Sequence, residues 1–238
     1  MNKIILHIGA RKGSKGIKNK NIKKIFGKPL IYWTLKHAKK IKNVSTIIVN
    51  SDSEEILNLA KKMKVDIALN RPKKLSSAKS SKLDAWKFAI KYLKNENLIN
   101  DNDIFVDFDC TCPLRKIKDT NQMIKRFKSH KNFEKKFDGI FTIVRAKKNP
   151  YFNLVEPNKY GYLKLSKNTN NSVVRRQDAP KVFEHVANTY VLKPNFISKT
   201  RSFMTGNFFG YTVKEKFSWD IDNNFDFEVA EYLLRKNK

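Results

Sequence analysis

At 238 residues with a net charge of +28, the chain is long enough to bury a sizeable core and suits one α/β domain with room for an excursion. Its 50 basic residues against 22 acidic ones invite a nucleic-acid reading, but the lysines are spread over every segment and arginines number only 9, which describes a solvated surface better than a binding stripe. No helix-turn-helix, aromatic RNA-binding pattern or zinc finger accompanies the charge, and no secretory or 18-residue apolar span appears, so a cytoplasmic protein without a membrane partner is expected.

In chain order, a strand is expected over 3–9, and it runs into the basic loop "ARKGSKGIKNKN" at 10–21. Glycines at 9, 13 and 16 match neither G-x-G-x-x-G nor the P-loop spacing. What remains is a loop whose backbone N–H groups can approach an anion, with a serine hydroxyl and Arg11, Lys15 and Lys20 to neutralise a polyphosphate. His7, inside the strand, reads as a packed core residue.

Helical patterns at about 29–41, 53–63, 82–94 and 116–129 then alternate with strands at 45–50, 65–69, 103–109 and 138–144. Such alternation implies a mostly parallel sheet covered on both faces, with ligands gathering at the carboxyl ends of its strands. Asp52 or Ser53 is the expected N-cap of the second helix. In the third, Leu83, Trp86, Ala89, Ile90 and Leu93 recur at three- and four-residue spacing as one apolar stripe.

The strand at 103–109 leads into "VDFDCTCPLR", where Asp107 and Asp109 are two apart and so point to one face. Cys110 and Cys112 fit no zinc or disulfide pattern and are expected as buried reduced thiols. After 145 the rhythm breaks. Residues 146–187, with Pro150, Pro157, Gly161 and "SKNTNNS", read as an inserted arm or hairpin within a single domain spanning 1–238. Order resumes at "TYVL", passes a turn-rich stretch and ends in a helix from about 226 to 235, with Asp226 expected as its N-cap. Ahead of that helix, Asp220 and Asp222 repeat the strand-like spacing of Asp107 and Asp109, with Trp219 and Ile221 facing the core. Acids so placed can hold Mg²⁺ while a nucleotide's phosphates complete the shell.

The stretches "ARKGSKGIKNKNIKKIFGKPLIYWTL", "SDSEEI", "RPKKLSS", "TCPLR", "RRQDAPKVFE" and "DIDNNFDFEVAEYLL", in that order, resemble the acylneuraminate cytidylyltransferases, or CMP-sialic acid synthetases, over nearly the whole chain. "RAKKNPYFNLVE" together with "DFDCTCPLR" is similar to the branch that activates bacterial nonulosonic acids such as legionaminic acid. The resemblance implies a three-layer Rossmann-like nucleotide-diphospho-sugar transferase fold, with the 146–187 arm as a dimerisation element of a homodimer. It implies an enzyme that transfers CMP from CTP to the anomeric hydroxyl of an acidic nine-carbon sugar and releases pyrophosphate, with Mg²⁺ as cofactor.

Residue by residue, the loop from Ala10 through Gly13 and Ser14 to Gly16 would wrap the nucleotide, and Arg11 would meet the phosphates. Lys20 and Asn21 match the family's Lys-Asn pair beside the triphosphate, while Arg71 and Ser81 fall where the family reads cytosine and ribose. Asp109, Arg176, Gln177 and Tyr190 would contact the sugar acid, Arg176 at its carboxylate. Asp220 and Asp222 correspond to the metal-binding acids, and Arg11, Lys20 and Asp222 would carry catalysis. Three departures stand out: Asp109 replaces a common Gln, Val186 stands four before Tyr190 where Asn is common, and Ala78 replaces a common Asp. The first counts against N-acetylneuraminic acid as the natural substrate; the rival readings are CMP activation of another acidic sugar (N-acetylneuraminic acid, pseudaminic acid or Kdo) and, outside enzymology, a basic nucleic-acid-binding domain.

Overall fold

Amphipathic helices and apolar strands take turns along the chain, so each strand finds a helix on either side and three layers result. The computed structural model describes residues 2–14, 16–77, 79–131, 136–168 and 173–236. Lys15 and Ala78, both singled out from the sequence, lie outside the described residues.

The N-terminal half contains β1 (Ile4–Gly9), the short pair β2 (Lys24–Ile25) and β3 (Lys28–Pro29), α1 (Leu30–Ala38), β4 (Thr46–Ser51), α2 (Glu54–Lys62), β5 (Ile67–Asn70) and α3 (Lys82–Asn95). There follow β6 (Ile104–Asp109), α4 (Ile117–Lys131), β7 (Gly139–Arg145), the hairpin β8 (Val155–Pro157) and β9 (Leu163–Leu165), β10 (Phe183–Leu192), α5 (Pro194–Lys199), β11 (Phe208–Thr212) and α6 (Asn224–Lys236). The main sheet has seven strands in the order β11-β7-β10-β6-β1-β4-β5. Its pairings are parallel except where β10 inserts antiparallel between β6 and β7.

Alternation along β1 decides the layers. Ile4, Leu6 and Ile8 face α1, α2 and α4, where they pack with Leu35, Ile56 and Phe127. Ile5 faces the other side with Phe105 and Tyr190, under Trp86, Ile90 and Leu93 of α3 and Ile197 of α5. The next residues outward on that second face are polar: His7 on β1 is in register with Asp107 on β6, and Tyr190 on β10 with Asp107. Chain order reverses around β1, because β4 and β5 add on one side and β6 on the other. The crevice at the carboxyl ends of β1 and β6 is therefore the switch point where a doubly wound sheet receives ligands.

Three sequence expectations are corrected at the level of elements. Asp220 and Asp222 lie in an extended loop outside any strand, although Ile221 between them is buried as the alternation requires. Asp226 is not the cap of α6: Asn223 Oδ1 accepts from its N–H at 3.0 Å while the Asp226 carboxylate accepts from the N–H of Asn223 at 3.0 Å, a reciprocal cap with Asn223 in the cap position. The antiparallel strand also starts earlier than "TYVL", since β10 begins at Phe183 and the last residues of the 146–187 segment belong to the main sheet. Ser53 caps α2, accepting from the N–H of Ile56 at 3.4 Å. Among the described residues no helix is long and apolar enough to cross a membrane.

Candidate active site

The loop after β1 is held in place along its length. The N–H of Ala10 donates to Asn50 O at 3.1 Å, that of Lys12 to Asp52 at 2.8 Å, and Arg11 Nη1 to Ser77 O at 3.1 Å. Asn21 Nδ2 donates back to Arg11 O at 3.0 Å, closing the loop on itself. Ile17 drops into an apolar cluster with Ile25, Leu30, Ile221 and Phe227, which brings the loop against α6 and the Asp220–Asp222 segment. There Gly16 is required: a Cβ on it would lie 1.9 Å from the carbonyl oxygen of Asp222. Lys20 Nζ spans the same junction, donating to Ile221 O at 2.5 Å and standing 3.4 Å from the Asp222 carboxylate.

The cleft bounded by this loop has a volume of about 370 Å³. Eight of the residues expected from the sequence line it: Arg11, Gly13, Ser14, Lys20, Asn21, Arg71, Ser81 and Asp109. Arg71 supplies the most informative geometry. Its side chain is buried, yet Nε and Nη2 find no hydrogen-bond partner among the described residues. Burial lowers its pKa, against the charge of Asp52 and with that of Arg11, and the unused donors at Nε and Nη2 are open to an acceptor in the cleft. Ser81 meets the cleft as the N-cap of α3, its hydroxyl engaged reciprocally with Asp84.

The remaining expected residues lie apart from the cleft wall. Ala10 is buried beneath it. Tyr190 sits in an aromatic cluster, edge-on to Trp86 with 5.2 Å between ring centres. Arg176 and Gln177 are exposed in a short turn of the arm, where Arg176 donates to Lys147 O. Asp222 stands at the rim through Lys20, and Asp220 is joined to the cleft through the Thr111 hydroxyl. Burial pushes the Asp220 carboxyl up to about 6, with the charges of Asp222 and Asp109 acting the same way. Its Oδ1 is buried and has no partner among the described residues.

The floor of the cleft was legible from the sequence only in Asp107 and Asp109. His7 is buried, as expected, but it lines the cleft rather than the apolar core. Asp107 and Asp109 do share a face, and Lys82 takes up both: Nζ is 3.0 Å from Asp107 Oδ2 and is also hydrogen-bonded to Asp109. They are thus an ion-paired cluster rather than an open metal pair, and among the described residues no group of three or more potential ligands could hold a metal. His7 Nδ1 lies 2.5 Å from Asp107 Oδ1. Asn50 Nδ2 donates both to Ala85 O at 3.0 Å and to His7 Nε2 at 3.3 Å, which leaves the His7 hydrogen on Nδ1, donated to Asp107. Burial alone would push the Asp107 carboxyl up, but Lys82 and His7 outweigh it and hold the group below the usual carboxylate range. For Lys82 burial pulls down and the two carboxylates more than offset it, so its pKa is raised.

Behind the floor, Arg115 fastens β6 to β10. It donates to the backbone of Asp109 and Asn188, each at 2.7 Å, and stacks 4.1 Å over the ring centre of Phe108. Cys110 and Cys112 are free and buried, and burial pushes both thiols up to about 12.

A crevice at the switch point, a cationic loop and a buried arginine with unused donors among the described residues suit an anionic ligand. The cytidylyltransferase family model matches residues 5–237. The chain belongs to this family. The enzyme is thus a nucleotidyltransferase, and the resemblance carried by its motifs is borne out. It is 31% identical over 237 residues to the post-translational flagellin modification protein B of Campylobacter coli, covering 99% of this chain and 97% of that one. It is 30% identical to the CMP-N,N′-diacetyllegionaminic acid synthase of Campylobacter jejuni subsp. jejuni serotype O:2, covering 98% and 96%. The solved structure of a CMP:2-keto-3-deoxy-manno-octonic acid synthetase complexed with CTP superposes with a TM-score of 0.72 over the whole of both chains at 14% identity. That likeness bears out the Rossmann-like cytidylyltransferase fold.

Proposed function

We propose that the enzyme transfers CMP from CTP to the anomeric hydroxyl of a nine-carbon 2-keto sugar acid of the legionaminic type. The hydroxyl oxygen attacks the α-phosphorus, the bond to the bridging oxygen breaks, pyrophosphate leaves and the hydroxyl proton passes to solvent. The observation that carries this reading is Arg71, a buried guanidinium with unused donors in a cleft already lined by Arg11 and Lys20. Arg11 and Lys20 meet the phosphates and balance the charge that gathers on the leaving pyrophosphate. His7 is spent on Asp107 and Asn50, so it is not the group that takes the hydroxyl proton. Legionaminic acid is supported by the 30% identity to the CMP-N,N′-diacetyllegionaminic acid synthase along the full chain and by Asp109.

The residues present fit a hard divalent cation. Asp220 offers a buried oxygen without a partner and Asp222 an exposed carboxylate, the oxygen donors that Mg²⁺ prefers, and a triphosphate would complete the shell. When bound, Mg²⁺ would neutralise phosphate charge and ease ionisation of the attacking hydroxyl. The test is pyrophosphate release from CTP, with and without Mg²⁺, across N,N′-diacetyllegionaminic, pseudaminic, N-acetylneuraminic and Kdo acids. Mg²⁺-dependent release highest with the first supports the reading. Release highest with another acid corrects the sugar, and release with none overturns the function.

A further inference from the structure

Lys82, Asp107 and His7 on the cleft floor have no part in the transfer proposed above. Lys82, the first residue of α3, reaches across to the sheet, with Nζ held between Asp107 and Asp109 and 4.2 Å from the centre of the Tyr190 ring. The Asp107 side chain is 1% exposed and that of Asp109 19%, so Asp107 lies behind and Asp109 borders the cleft. Two carboxylates meet one ammonium here, with His7 hydrogen-bonded to Asp107 from behind, so the floor is rich in acceptor oxygens. The wall opposite is cationic, with Arg11, Lys20 and Arg71. A cleft so polarised draws phosphate and carboxylate groups to the wall, and its floor accepts hydrogen bonds without accepting anions.

We propose that Lys82, set in place by Asp107 and His7, is a positioning residue that aims Asp109 into the cleft as an acceptor, so that the floor selects sugar acids presenting an amide N–H or hydroxyl there. The inference rests on the proposed function and deepens it by assigning the part of the site that reads the sugar. Lys82 directly follows Ser81 on α3, so one helix start serves nucleotide and sugar and fixes the spacing between them. Without Lys82 the neighbouring carboxylates of Asp107 and Asp109 repel each other with no counter-charge, and Asp109 turns from its place.

Steady-state pyrophosphate release, with CTP and N,N′-diacetyllegionaminic acid varied in turn, separates the two substrates. Lys82→Met is expected to raise KM for the sugar acid about tenfold or more while KM for CTP stays within about twofold, the loss of one well-placed polar contact. Lys82→Arg, which keeps the cation, is expected to recover most of that loss. Equal rises in both KM values, or no rise in either, would overturn the proposal. Should Lys82→Met fail to fold, Lys82→Gln, which removes the charge but keeps a polar side chain and leaves Asp109 in place, decides in its stead. A selective rise in the sugar-acid KM supports the proposal, and a wild-type value overturns it. Absence of release by the wild-type enzyme with every acid is a different failure, visible before any variant is made, and it removes the proposed function and this inference together.

Discussion

Arg71 carries an unusual burden for a buried side chain, because its donors at Nε and Nη2 are desolvated without a hydrogen-bond partner among the described residues, offset only in part by the charge of Asp52. A cation in that state costs stability in the free enzyme and gains it back only when an acceptor arrives. Arg71→Met should therefore raise KM for CTP by about 10- to 100-fold, the worth of hydrogen bonds to a charged group, while the thermal midpoint stays level or rises. Kinetics and a melting curve check both halves, and an unchanged KM would show that Arg71 does not face the nucleotide. Asp222→Asn is the companion test: its carboxylate is exposed and touches only Lys20 among the residues described for it, so turnover should be lost with the thermal midpoint within about 1 °C of wild type. At this scale the sequence is legible where a motif is contiguous, as with Arg11, Lys20 and Asn21. It is silent about the meeting of His7, Asn50, Lys82 and Asp107, because that depends on β1 pairing in parallel with both β4 and β6 and on α3 reaching across to β6, which residues tens of positions apart do not announce.

Elements are where periodicity speaks most plainly, and also where it fails for a definable reason. β1, β4 and β6 were legible as continuous apolar runs because both their faces are covered, β5 and β7 likewise as apolar runs, and the four crossover helices because each buries one stripe. β11, "FFGYT", was not: as an edge strand it is half-buried on both sides, so nothing alternates, and Gly210 sits in it only because Ile143 Cδ1 would lie 2.3 Å from a Cβ there. The glycine loop shows the same close-approach logic at the site. Gly16→Ala must push the loop away from Asp222, which should cost about 1–3 kcal/mol and lower turnover together, seen as a lower denaturation midpoint with a reduced kcat. In α1, burial drives the His37 pKa down to about 3, assisted by the charges of Arg115, Lys40 and Lys36. The unfolded chain then binds the proton first, so stability should fall as pH drops below 6.5 and go on falling towards 3, by about 2 kcal/mol between pH 6.5 and 5 from this residue alone. Denaturation at several pH values should show a shallower acid slope in His37→Leu, and an identical slope in the two proteins would remove His37 as the cause.

At the scale of the whole molecule the sheet order is the least legible feature, because β10 crosses between β6 and β7 only after the arm has been traversed. The arm's β8–β9 hairpin has two short strands apart from the main sheet, with Tyr160 71%, Tyr162 70% and Leu163 64% exposed. Two-stranded hairpins are marginal in water unless a face is covered, and apolar side chains this exposed mark a surface that meets another. Arg176 and Gln177, expected at the sugar's carboxylate, stand on the same arm away from the cleft wall. Both facts are accounted for by a homodimer in which each arm lies on the other subunit, an arrangement we propose for this enzyme. With +28 charges on each chain, such a pairing works against like-charge repulsion, so it should tighten as salt is added. Sedimentation equilibrium at micromolar concentration and about 0.15 M salt should find dimer, with the dissociation constant rising as ionic strength is lowered. Tyr162→Glu places a charge on the apolar tip and should yield monomer whose KM for the sugar acid rises while CTP still binds. A wild-type protein that sediments only as monomer under those conditions would refute the pairing, and a monomeric Tyr162→Glu enzyme with an unaltered sugar-acid KM would show that the arm assembles the dimer without serving the site.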